Sequence, residues 1–178
     1  MKPVIFTCLT VLAITSCSTP RTYFTSSVRS NIEANDIPVS KLQFYVDRDV
    51  ELRREVSSAN AKVAAGVVKF ENGKYVNIVT LKKNTPGVCS KIYDDKIDVS
   101  FEMGDGRYLT FGKLKRDSRA PYTLYADNWG KTYGEIKYDN LTYYILPGGS
   151  EARLMIRKDA INTLKVDKRE MKGRKVES

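Results

Sequence analysis

The chain has 178 residues and carries 30 Lys and Arg against 21 Asp and Glu, a formal net charge of +9, with no histidine. The missing imidazole excludes a Ser-His-Asp triad, a Cys-His pair and most transition-metal sites. The length allows one ordinary domain with a genuine core and no need of disulfide staples.

The N-terminus reads as an export signal. Lys2 supplies a minimal basic start, and Val4 to Ile14 is apolar but too short to span a bilayer as a helix. The segment Ile14-Thr15-Ser16-Cys17 then resembles the lipobox of bacterial lipoproteins. That resemblance implies residues 1–16 as a signal peptide, diacylation of the Cys17 thiol and a lipid anchor in the cell envelope. In this lipoprotein class an acidic run after the Cys accompanies surface display, and here the run is Ser18-Thr19-Pro20-Arg21. The expected location is therefore the periplasmic face of the outer membrane, with the inner membrane left open. Export also argues against nucleic acid as a partner, and no nucleic-acid-binding motif is visible. Cys8 leaves with the signal and Cys17 is taken by lipid, so Cys89 has no thiol to pair with and is expected as a small apolar core residue.

In chain order, residues 17–24 are expected as a tether, small and polar around Pro20. A short helix follows, with Thr25 or Ser26 as cap, Val28 and Ile32 on one face, and Asn35-Asp36 and Pro38 ending it. The period then changes to two: Leu42, Phe44 and Val46 form a first strand, Val50 and Leu52 a second. Val63–Phe70 and Lys74–Leu81 meet at Asn72-Gly73, the strongest hairpin signal in the chain. Ile97, Val99, Phe101 and Met103 alternate up to Gly104-Asp105-Gly106, which returns the chain through Arg107–Leu114. A three-residue loop there sets Phe101 opposite Leu109 and Val99 opposite Phe111, and a two-residue turn shifts that register by one. A third hairpin at Asp139-Asn140 pairs Tyr138 with Leu141 and Ile136 with Tyr143, giving an apolar face of those four residues. Pro147-Gly148-Gly149-Ser150 breaks the sheet before Leu154 and Ile156, and Leu164 with Val166 adds a last strand.

These elements predict a mainly β fold, an antiparallel β-sandwich or small SH3-like barrels with one short N-terminal helix. Residues 25–168 form a single domain or two small lobes, 25–115 and 120–168, followed by a basic tail at 169–178. The stretch Val79–Leu114, with Thr85-Pro86-Gly87-Val88 and Leu109-Thr110-Phe111-Gly112, resembles small all-β lipoproteins of the Bacteroides group. Gly134–Gly149, with Tyr-Tyr before Pro-Gly-Gly, is similar to the same group. The resemblance implies no particular activity. The first stretch also looks like a bacterial SH3-type barrel, in which a Thr-Pro-Gly turn precedes paired strands.

Asp47 with Asp49, or Asp94, Asp95 and Asp98, are the carboxylates available for acid–base chemistry or calcium, although Lys91 and Lys96 oppose a cation. Such residues beside strand ends more often form turns, so no catalytic residue, metal or cofactor is assigned. Eleven tyrosines and one tryptophan carry the richer signal, because Tyr and Trp combine apolar area with a polar tip. Trp129, with Tyr125, Asp127 and Asn128, is the candidate site for a glycan or small ligand; the plain alternative is a ring that covers the open end of the core. Lys113, Lys115, Arg116, Arg119, Lys172, Arg174 and Lys175 are candidates for a basic patch facing a membrane or partner. Two functions remain: a non-catalytic interaction module recruiting an envelope protein, and a binder of cell-wall glycan or small ligand.

Overall fold

A computed structural model describes residues 20–162, apart from 63, 65, 114–116, 131 and 132. Cys17, Lys115, Arg116, the strand expected at Leu164 and Val166, and the tail with Lys172, Arg174 and Lys175 lie outside the described residues. So does the signal segment.

The period-two pattern becomes thirteen strands among the described residues, all paired antiparallel in two sheets. The seven-stranded sheet runs β1 (Arg21–Tyr23), β13 (Leu154–Arg157), β2 (Gln43–Val46), β6 (Pro86–Ile92), β7 (Lys96–Ser100), β8 (Leu109–Gly112) and β9 (Thr123–Leu124). The six-stranded sheet runs β10 (Asn128–Trp129), β11 (Gly134–Tyr138), β12 (Leu141–Ile145), β3 (Val50–Val56), β5 (Lys74–Leu81) and β4 (Val67–Glu71). One apolar cluster joins their inner faces. Phe44, Val46, Ile97, Phe111, Leu154 and Ile156 are fully buried from one sheet, and Val50, Leu52, Tyr143 and Ile145 meet them from the other. The fold is thus an open β-sandwich; no closed barrel forms among the described strands.

Local chemistry fixes the connections. Helix α1 (Ser26–Glu33) begins where the Thr25 hydroxyl accepts the Val28 N–H at 3.1 Å, buries Ile32, and gives way to a left-handed Asp36 at φ 56°. A second helix, α2 (Asp159–Asn162), follows β13. Two hairpins close as two-residue turns with both central residues at positive φ. Asn72-Gly73 joins Glu71 to Lys74, and Asp139-Asn140 joins Tyr138 to Leu141. Ile136 faces Tyr143 as the alternation requires.

Five expectations change, the fifth at Cys89. The tether ends earlier than residue 24: Arg21–Tyr23 pairs with β13, because Phe24 is fully buried between Phe44 and Tyr122, with ring centroids 5.2 and 5.0 Å away. The two-lobe division at 115–120 does not describe the body, since both sheets take strands from each side of it. In the β7–β8 hairpin, Val99 lies opposite Leu109 and Ile97 opposite Phe111, a shift of two from the expected register. Shifting by two keeps each side chain on its face. The cause lies in the loop: Ser100 Oγ sits 2.6 Å from the Glu102 carbonyl and 2.9 Å from that of Arg107, which ends β7 at Ser100. The Phe101 ring then lies so close over Gly87 that a Cβ there would come within 2.6 Å of it. Finally, Leu141 shares the face of Ile136, Tyr138 and Tyr143 but is 40% exposed, because it stands at the hairpin end where β12 has no pairing with β3 and lines the resulting opening.

Cys89 is half-buried rather than fully enclosed, at an irregularity of the β6–β7 ladder, with its Sγ 3.5 Å from the Lys91 carbonyl. Desolvation by burial pushes its thiol pKa up.

Candidate binding groove on the six-stranded sheet

Alternation along β3, β5, β11 and β12 sends every second side chain away from the core. On β12 these are Thr142 and Tyr144, and Leu146 continues the series; on β3 they are Glu51, Arg53 and Glu55; on β5, Val76. Tyr144 lies opposite Glu135 on one neighbour and Arg53 on the other. Tyr133, just before β11, stacks edge-on against it, with centroids 4.9 Å apart at 79°. Strands β3 and β12 pair only at Arg53–Tyr144 and Leu52–Ile145, then part, and Arg54, Leu141 and Thr142 line the opening. The result is an open groove of about 580 Å³.

Its walls are aromatic and aliphatic: Tyr133, Tyr144 and Leu146 are 41%, 36% and 46% exposed. Its polar groups are already ordered. Arg53 donates to Glu51 at 2.8 Å and to Glu71 at 3.3 Å, and the Glu51 hydrogen bond, with both carboxylate charges, raises its pKa against the cost of burial. Lys74 closes on Glu55 at 2.8 Å. Beneath the opening lies a buried polar cluster, in which fully buried Asn77 accepts through Oδ1 from the Tyr143 hydroxyl at 3.0 Å and from Arg54 Nε at 3.3 Å. Such a surface can stack on a flat apolar or aromatic face while Arg53, Glu51 and Glu71 supply directional hydrogen bonds.

The residues of the expected aromatic site do not converge on one pocket. Trp129 is 48% exposed on the edge strand β10, its ring over Gly134, where a Cβ would come within 2.9 Å of it. Asp127 and Asn128 are exposed beside it. Tyr125 instead packs on Gly112 of the other sheet, with Lys96 Nζ 5.3 Å from its ring centroid. Of the basic patch, Lys113 and Arg119 are exposed, and Arg119 pairs with Asp117 at 3.5 Å.

The carboxylates weighed for chemistry are dispersed. Asp47 accepts the Arg153 N–H at 2.8 Å, and Asp49 pairs with Lys82 at 2.9 Å, whose hydrogen bond lowers the Asp49 pKa. Asp94 and Asp95 are exposed, whereas Asp98 is buried on the outer side of β7, accepting from Thr110 Oγ1 at 2.7 Å and the Tyr93 hydroxyl at 3.1 Å. No group of three metal-ligating side chains occurs among the described residues.

Tyr144, Arg53 and Leu146 were not singled out from the sequence, and Tyr133 was placed only at the rim beside Trp129. The usable signal was Tyr144, a large aromatic on the same face as Glu135, Lys137 and Thr142, inside the unbroken run Tyr143-Tyr144-Ile145-Leu146. What no pattern displayed was the parting of β3 from β12, which depends on strands whose paired residues lie 91 and 93 apart in sequence, as the Arg53–Glu71 pair depends on a separate hairpin.

No family model, curated protein or solved structure matches the chain in the three comparisons made.

Proposed function

We propose that this chain is an envelope lipoprotein, anchored through Cys17 at the periplasmic face of the outer membrane, that acts as a non-catalytic interaction module for another envelope protein. The signal-like segment ending in Ile14-Thr15-Ser16-Cys17 supports the anchor. The observation that carries the binding reading is the exposed Tyr133–Tyr144 pair beside Arg53 on a face where alternation calls for small polar residues. Interfaces concentrate their energy in such Tyr and Arg residues. The groove is wide and open, with its charges already paired, which suits a protein surface better than a small solute.

A second reading, a glycan stacked on Trp129 with Asp127 and Asn128 alongside, is favoured by the 48% exposure of that ring. The test is affinity capture from detergent-solubilised native membranes. Tyr144→Ala combined with Tyr133→Ala is expected to lose the captured protein while keeping stability within about 1 kcal/mol, and Trp129→Ala to retain it. Loss with Trp129→Ala alone, together with loss of binding to cell-wall glycan, favours the second reading. Cys17→Ser is expected to leave an unprocessed precursor outside the membrane fraction; normal fractionation of that variant overturns the anchor.

A further inference from the structure

Strand β4 (Val67–Glu71) has β5 on one side and, among the described residues, no strand on the other, and Val67 and Phe70 are 58% and 65% exposed along it. Its hydrogen-bonding parity follows from the hairpin. In a two-residue turn the residues flanking it form a hydrogen-bonded pair, so Glu71 exchanges bonds with Lys74, and Lys69 and Val67 likewise point their N–H and C=O groups at β5. Val68 and Phe70 therefore turn theirs outward.

An antiparallel partner must meet those groups. For two copies of this strand three symmetric registers do so: Val68 on Val68, Val68 on Phe70, and Phe70 on Phe70. The second sets Lys69 against Lys69 in a non-hydrogen-bonded pair, where side chains come closest and like charges repel. The first sets Lys69 against Val67. The third sets Lys69 against Glu71 of the second copy, twice, and brings Phe70 onto its own copy beside Tyr75, whose ring already lies 5.0 Å from Phe70. Lys69 has no ion pair among the described residues, and the Glu71 carboxylate, paired there with Arg53 at 3.3 Å, is 37% exposed. A lysine on an edge strand ordinarily keeps foreign strands away; here it selects one register of self-association.

We propose that two copies of this chain associate through β4, antiparallel, with Phe70 at the two-fold axis and Lys69 facing Glu71 of the second copy. The axis runs normal to the sheet, so both Tyr133–Tyr144 grooves emerge on the same side and a partner with repeated sites is held at both. That last consequence rests on the binding groove; the dimer does not.

The test is sedimentation equilibrium of the full-length chain in non-ionic detergent, at several salt concentrations. A reversible dimer is expected, weakening as salt rises. Lys69→Glu sets Glu against Glu twice and should raise the dissociation constant on the order of tenfold. The double exchange Lys69→Glu with Glu71→Lys restores opposite charges in the same register and should recover the wild-type constant. Phe70→Asp should leave a folded monomer by circular dichroism. A chain that stays monomeric, a dimer indifferent to Lys69→Glu, or one that the double exchange fails to rescue overturns the proposal. Loss of partner capture with the dimer intact would count against the groove alone.

Discussion

Tyr138 shows how one side chain couples packing to charge. It is 8% exposed, and its hydroxyl donates to Glu102, whose carboxylate also lies 3.7 Å from Arg107. Burial, and then the hydrogen bond to Glu102, push the phenol pKa well above its ordinary value near 10. The unfolded chain would release that proton near pH 10 while the folded chain keeps it. The contribution is therefore fully present below about pH 10 and is lost as pH rises beyond it. Denaturant melts across the alkaline range should show stability falling above about pH 10, and Tyr138→Phe should fall less steeply over the same interval. Equal slopes in the two proteins would mean that the phenol is not held neutral by the fold.

At the scale of the element, the β11–β12 hairpin separates residues that the alternation alone treats as equivalent. Ile136 is 4% exposed and Leu141 is 40% exposed although both point to the inner face. Truncating Ile136 to Ala should cost on the order of 2–5 kcal/mol through lost burial and a residual cavity, whereas Leu141→Ala should cost about 1 kcal/mol or less. Chemical denaturation of the two variants checks this, and equal costs would place the hairpin tip inside the core. The Asn72-Gly73 and Asp139-Asn140 turns were readable because positive φ is a local demand met by local residues. The helix cap at Thr25 was readable for the same reason. The loop after Ser100 was not, since Gly104 and Gly106 tolerate several loop lengths, and Phe101 leaves the β7–β8 pairing to lie on Gly87 of β6, a choice between two sheet neighbours that alternation does not distinguish. The groove was hidden in the same way. Its tyrosines are visible in the run from Tyr143 to Leu146, but the opening between β3 and β12 that gives them a hollow is a property of two sheet neighbours.

At the scale of the whole molecule, the seven-stranded sheet is bound by its first and last described strands. Arg21 pairs with Arg157, the Lys158 N–H donates to the Pro20 carbonyl at 2.9 Å, and β13 sits between β1 and β2. A chain ending at Gly149 would lack β13, leaving both β1 and β2 without their neighbour and taking fully buried Leu154 and Ile156 from the core. Such a chain should show no cooperative melt by circular dichroism; a sharp transition would mean that the six-stranded sheet, with β6 to β9, is stable by itself.

That placement of β13 also sets an order of events in time. A chain made from its N-terminus offers β1 early, yet β1 has nowhere to go until residue 154 has emerged. The six-stranded sheet meets its own delay, because Leu52 waits for Ile145. The hairpins at Asn72-Gly73 and Asp139-Asn140 need only near neighbours and can form within microseconds of appearing. Closing a loop of more than a hundred residues carries an entropy cost that nothing repays until β13 docks. The two sheets are therefore completed only when residues 141–157 arrive, and until then the edges of β2 and β3 stay open to any other strand in reach.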